Sequence, residues 1–158
     1  MFPAVLVLMM CVLGWFSKVD CDTKTRLFKS YCSYFYCCEL WDLSDVSLQS
    51  LCMSWRLALR RIWKLPYNCH KSILHLLSGG LPLMDILCKR FYNFIHTCVN
   101  SVNGLVKYVA RQGVLLSGMK SCIRRNVQFL SERYQVCIPD MLMHNLAESN
   151  FTRICQTC

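Results

Sequence analysis

Carboxylates are scarce in this chain. Nine Asp and Glu stand against eighteen Lys and Arg, a formal net charge of +9, and that balance favours an anionic partner. The aspartates are Asp20, Asp22, Asp42, Asp45, Asp85 and Asp140, and no two are adjacent. An adjacent Asp-Asp pair, one way to hold two metal ions around a transferring group, is therefore missing. A glycine-rich phosphate loop with its lysine is missing too. Gly79-Gly80, followed by Leu81-Pro82, reads as a turn. There is no internal repeat and no low-complexity tract. Charged residues make up only 17% of the chain and hydrophobic ones 54%, which excludes a disordered polymer. With 158 residues, one domain is the default.

Cysteine, by contrast, is plentiful. There are thirteen, an odd number, so a fully disulfide-paired monomer is excluded. Their spacing is irregular, and the one Cys-x-x-Cys is Cys155 to Cys158. A structural zinc needs four ligands at workable spacing, so no metal and no cofactor is expected. Cys32 and Cys98 recur on apolar helix faces and read as small buried hydrophobes. A reducing compartment suits them. Cys69-His70 is adjacent in sequence, but with so many cysteines and four histidines such pairs arise by chance. His75, His96 and His144 read as packed or solvated. No catalytic residue is assigned, and the chain is not expected to be an enzyme.

The most informative stretch is Trp55 to Tyr67. Wound as a helix, it puts Trp55, Ala58, Leu59, Ile62 and Trp63 on one side. Arg56, Arg60 and Lys64 fall on the other side, with Arg61 beside them. Pro66 is expected to end the helix, because proline disfavours the helical conformation at the residue before it. The cationic ridge is either a solvated face over a core or a surface for phosphate backbones or acidic lipid. A second basic cluster lies at Arg124-Arg125.

The rest of the chain reads as mostly α, a small helical bundle or an incomplete helical fragment of about five to six helices. Residues 1–16 are an uncharged apolar run. It is either the apolar region of a secretory signal peptide, cleaved near Ser17 to Cys21, or a helix that belongs inside a larger protein. Asp22 is expected to cap a helix whose stripe is Leu27, Phe28, Tyr31, Cys32 and Phe35. The aromatic segment from Tyr34 to Trp41 reads as packing. Ser44 or Ser47 is expected to cap the helix that carries Leu48, Leu51, Cys52, Trp55, Leu59 and Ile62. Another helix runs roughly from Leu83 to Val99, with Leu83, Ile86, Leu87, Phe91, Phe94, Ile95 and Cys98 on one face. After the Asn100 to Gly104 loop the pattern weakens. Val127 to Tyr134 reads as one more helix, and the chain beyond Met141 as poorly ordered. The domains are thus an apolar segment 1–16, a helical region 17–104 and a weakly patterned region 105–158.

Several blocks are familiar as a set. Thr25-Arg26-Leu27-Phe28-Lys29-Ser30-Tyr31-Cys32 precedes Phe35-Tyr36-Cys37-Cys38-Glu39-Leu40-Trp41. Then come Trp55-Arg56, Ala58-Leu59-Arg60-Arg61-Ile62-Trp63, Leu65-Pro66-Tyr67-Asn68 and Leu81-Pro82. Arg90-Phe91 and Asn93-Phe94-Ile95-His96-Thr97-Cys98 follow. In this order they resemble the C-terminal part of reverse transcriptases of non-LTR, LINE-type retrotransposons, over about Trp15 to Asn145. The resemblance implies a helical thumb and post-thumb region that helps hold template RNA and primer, packed in its parent on a polymerase palm. In that family the position after the Phe-Tyr pair is usually glycine, and here it is Cys37. The palm and its Asp-Asp motif are missing.

The chain is therefore read as a non-catalytic, isolated fragment of such a polymerase. Its expected capacity is weak, non-specific binding of RNA or DNA backbone through Arg56, Arg60, Arg61, Lys64, Arg124 and Arg125, inside the cell. The rival reading is a small secreted or membrane-associated helical protein with a signal at residues 1–20. Asn150-Phe151-Thr152 would then be a glycosylation sequon at Asn150.

Overall fold

The computed structural model describes residue 14 and residues 18–32, 35–116 and 121–143. Among the described residues the regular structure is entirely helical, in line with the mostly α reading. Seven α-helices follow one another: α1 (Cys21–Cys32), α2 (Val46–Ile62), α3 (Lys71–Ser78), α4 (Leu83–Val99), α5 (Gly104–Leu115), α6 (Cys122–Tyr134) and α7 (Ile138–Met143). A single 3-10 turn, Cys38–Leu40, lies between α1 and α2. The apolar run at 1–16 apart from residue 14, Asn150, His144 and the Cys155–Cys158 pair lie outside the described residues, as does the chain end expected to be poorly ordered. No single helix among the described residues is long and apolar enough to cross a membrane.

The chain divides into two compact units. The first comprises Met1–Tyr36 with Val46–Leu83, the second Cys37–Asp45 with Met84–Cys158. The chain passes between the units after Tyr36, after Asp45 and at the start of α4.

In the first unit α1 packs on α2, and α2 on α3. Asp20, not Asp22, caps α1: its carboxylate accepts the Thr23 N–H at 2.8 Å, which holds its pKa below the ordinary value. Asp22 lies within the first turn. The buried stripe of α1 is Thr25, Phe28 and Cys32, while Tyr31 is exposed. Phe28 meets Trp55 of α2 at a centroid distance of 4.5 Å, and Phe35 meets the same indole at 6.1 Å. Trp55 is only 3% exposed and lies in a stripe with Leu48, Leu51, Ala58, Leu59 and Ile62. Each such large side chain contributes roughly 1.5–3 kcal/mol by leaving water. The Lys29 ammonium donates to the Ser78 carbonyl at the end of α3. Gly79 then closes α3 in the left-handed region, φ 58°, where a side chain would be strained.

In the second unit α5 packs on α6, and α6 on α7. The buried face of α4 is rotated from the expected one. Leu87, Cys88, Phe91, Tyr92, Ile95 and Val99 are buried, whereas Ile86, Phe94 and Cys98 are half-buried. Asp85, near the start of α4, is buried. One of its oxygens accepts from Arg133 Nε at 3.1 Å, Arg133 Nη2 at 2.8 Å and Tyr134 Oη at 2.8 Å. Burial works against the Arg133 charge, but the hydrogen bonds and the Asp85 charge outweigh it, and its pKa moves up. Asn126 of α6 is fully buried and binds the 41–43 segment on both sides of its amide. Gly113 lets α5 approach α6: a Cβ there would lie 3.3 Å from Ile123 Cγ2.

Helix α5 explains why the pattern fades after residue 104. Asn103 caps it, accepting from Leu105 N at 3.0 Å and Val106 N at 3.3 Å. Its buried positions are the small Ala110 and Gly113 with Val114. Its large apolar residues, Leu105, Val106, Tyr108, Val109 and Leu115, are exposed. An amphipathic stripe pointing at a core is the signal that periodicity detects, and here the big side chains point the other way.

Candidate nucleic-acid interface

The basic ridge begins on α2, and its residues do different things. Arg56 is half-buried, and its Nε donates to the Cys52 carbonyl four residues back, at 3.2 Å. Arg60 is half-buried too. Its Nη2 donates to the Cys69 carbonyl at 3.0 Å, and its guanidinium carbon lies 5.7 Å from the centre of the Tyr67 ring. Arg61 and Lys64 are exposed.

Lys64 does not continue the ridge as a helical position. The helix ends at Ile62, earlier than Pro66 would require. Leu65 N–H returns to the Arg60 carbonyl at 2.9 Å, Lys64 N–H to the Arg61 carbonyl at 3.3 Å, and Trp63 N–H to the Leu59 carbonyl at 3.1 Å. With Lys64 at φ 49°, this is the paired closure that usually carries glycine at the left-handed position. A lysine there hid the stop from the sequence reading. The closure gathers Arg60, Arg61 and Lys64 at the C-terminal end of α2, where the helix carries partial negative charge and cations are favoured. Two donors at this end, Arg60 Nε and Trp63 Nε1, are shielded from solvent without a partner among the described residues.

Beyond the closure the chain turns sharply. Cys69 N–H bonds the Pro66 carbonyl at 3.1 Å, which places Tyr67 and Asn68 at the tip of the turn. His70 then caps α3, its Nδ1 accepting from Ser72 N at 3.4 Å. The link from Arg60 to the Cys69 carbonyl ties this turn to α2. Sequence reasoning had Tyr67 as the end of a motif and missed it as part of the site. Its one advance signal is a bulky aromatic directly after Pro66 in a polar turn.

The second basic cluster belongs to the other unit, and its arginines serve internal bonds. Arg124 Nη1 donates to the Val114 carbonyl at the end of α5, at 2.7 Å. Arg125 pairs with Asp42 at 2.9 Å. Among the described residues no group of three or more His, Cys, Asp or Glu side chains is placed to hold a metal ion. Cys32 is buried, and burial pushes its thiol up to about 11. Cys98 is half-buried, with its thiol also raised by burial.

Compared with known proteins, the chain matches no family model, no curated protein and no solved structure.

Proposed function

We propose that this chain is a non-catalytic relative of the thumb and post-thumb region of a non-LTR reverse transcriptase, and that its C-terminal end of α2 binds RNA or DNA backbones with low specificity. The observation that carries the binding is the exposure of Arg61 and Lys64 at the closure that ends the helix, where the backbones of Arg60, Arg61 and Lys64 are tied together. Cations grouped in this way neutralise phosphates and release their counterions. Cys37 lends support to the resemblance. It occupies the position where that family usually has glycine, and its backbone is left-handed, φ 54°, the conformation glycine adopts without strain.

The test is fluorescence anisotropy of a labelled single-stranded RNA against the full chain at several salt concentrations. Because Arg60 also holds the turn, the informative variant is Arg61→Glu with Lys64→Glu. The expected result is weaker binding and a log–log salt slope shallower by about 1.4, two phosphate contacts on a single strand. Unchanged affinity and slope would make the cluster a solvated face that only complements the helix end.

A further inference from the structure

We infer that Tyr67 is a stacking platform for an unpaired base, which makes the basic end of α2 selective for single-stranded over duplex nucleic acid. The inference rests on the reading of that end as a nucleic-acid surface and adds the kind of strand it takes.

Tyr67 is 84% exposed. A tyrosine exposed to that degree leaves most of its ring in water, and here the ring is also held in place. Pro66 restricts the backbone just before it, and the Pro66 to Cys69 hydrogen bond closes the turn beneath it. The Arg60 guanidinium lies within cation–π range of the ring. That guanidinium is itself fixed by the Cys69 carbonyl of the same turn. Little conformational freedom is then left to lose when a second flat group arrives. Other tyrosines are exposed, including Tyr36 and Tyr108, but neither has a guanidinium held against it among the described contacts.

Along the chain, the charges on either side of the turn are of one sign. No acidic residue occurs between Asp45 and Asp85, while Arg56, Arg60, Arg61, Lys64 and Lys71 do. The turn itself thus has cations before and after Tyr67 in sequence. The nearest carboxylates shown at this end of the helix are those of Asp20 and Asp22, which flank Cys21, whose thiol donates to the Ile62 carbonyl at 3.4 Å. Bases in a duplex are stacked on one another and present only edges and phosphates, so a ring at the tip of a turn has no face to stack on. An unpaired base offers its face, and aromatic stacking tolerates any of the four bases.

The experiment compares one labelled oligonucleotide, single-stranded and annealed to its complement, with heparin as a polyanion without bases. Tyr67→Ala should weaken single-strand binding about 5- to 150-fold and leave duplex and heparin binding unchanged. Tyr67→Phe should retain the wild-type affinity, since stacking needs the ring and not the hydroxyl. Equal losses on all three ligands would overturn the inference, because the ring would then only be holding Arg60. An unchanged single-strand affinity in Tyr67→Ala would also overturn it, while leaving the backbone-binding reading intact. If Arg61→Glu with Lys64→Glu leaves single-strand binding unchanged, the backbone reading fails and the stacking inference fails with it.

Discussion

The side-chain carbonyl of Asn126 accepts the backbone N–H of Leu43 at 2.8 Å, across 83 positions of sequence. The same amide donates to the Trp41 carbonyl at 2.7 Å. One fully buried side chain thus satisfies two backbone groups of this segment, Leu43 N–H and the Trp41 carbonyl, and buried backbone groups must find partners somewhere. Asn126→Ala is expected to destabilise the second unit by about 3 kcal/mol, because two backbone groups lose their partner at once. Asn126→Asp keeps the acceptor but turns a carboxylate oxygen toward the Trp41 carbonyl, so it should cost nearly as much. Urea denaturation checks both: the midpoint should fall while the slope stays the same.

Cys37 in its left-handed backbone suggests the opposite kind of change. An L-residue with a side chain is strained there by about 1–2 kcal/mol. Cys37→Gly relieves the strain but adds freedom to the unfolded chain. The net expectation is a gain of about 1 kcal/mol, read as a higher thermal midpoint. Cys37→Val should lower it. If both variants melt with the wild type, the position carries no strain.

Asp85, Arg133 and Tyr134 form a coupled set around one carboxylate oxygen. Tyr134→Phe removes one hydrogen bond and should cost about 1 kcal/mol. Asp85→Ala removes the acceptor that the guanidinium and the phenol share. Because the Arg133 side chain is 38% exposed, water rescues part of its charge, and the expected loss is about 2 kcal/mol. The double variant Asp85→Ala with Tyr134→Phe should lose less than the sum of the two, since residues sharing one acceptor are not additive. Simple additivity in chemical denaturation would show that the phenol and the carboxylate act separately.

The cysteines should separate cleanly by accessibility. Cys37 and Cys137 are exposed, whereas Cys32, Cys38 and Cys88 are buried. Brief iodoacetamide treatment of the native protein, followed by peptide mass spectrometry, should label the first two and spare the other three. The Cys32 thiol ionises near 9.0 when free and near 11 in the fold. As pH rises past the lower value, the unfolded chain loses its proton first. The stabilisation linked to Cys32 is therefore complete below pH 9.0 and lost as pH climbs through about 11. A Cys32→Ala variant should show a weaker decline in stability over that window.

The elements legible in the sequence were those whose large apolar residues face inward. Trp55, Leu59 and Ile62 announce α2, and the leucines and aromatics between Leu83 and Val99 mark out α4. The rotation of α4 was not legible, because Cys88 and Tyr92 compete equally with Ile86 and Phe94 until the neighbouring helices exist. Caps were legible only by type. Asp20 and Asp22 both qualify on chemistry, and the backbone path chooses Asp20. Of the site, the charges of Arg60, Arg61 and Lys64 were evident, but their grouping was not. It depends on a left-handed lysine and on a turn whose carbonyl captures Arg60. The inward use of Arg124 was equally hidden, since its acceptor is the Val114 carbonyl at the end of the preceding helix.

The outward side of α5 has a consequence at the bench. Leu105, Tyr108 and Val109 form an oily strip on a cationic molecule, a combination suited to plastic and to the air–water boundary. In dilute titrations the free concentration will therefore drift below the nominal one, and every dissociation constant will be overestimated by the fraction adsorbed. A trace of non-ionic surfactant in the buffer, with recovery measured in the blank wells, separates lost protein from lost affinity.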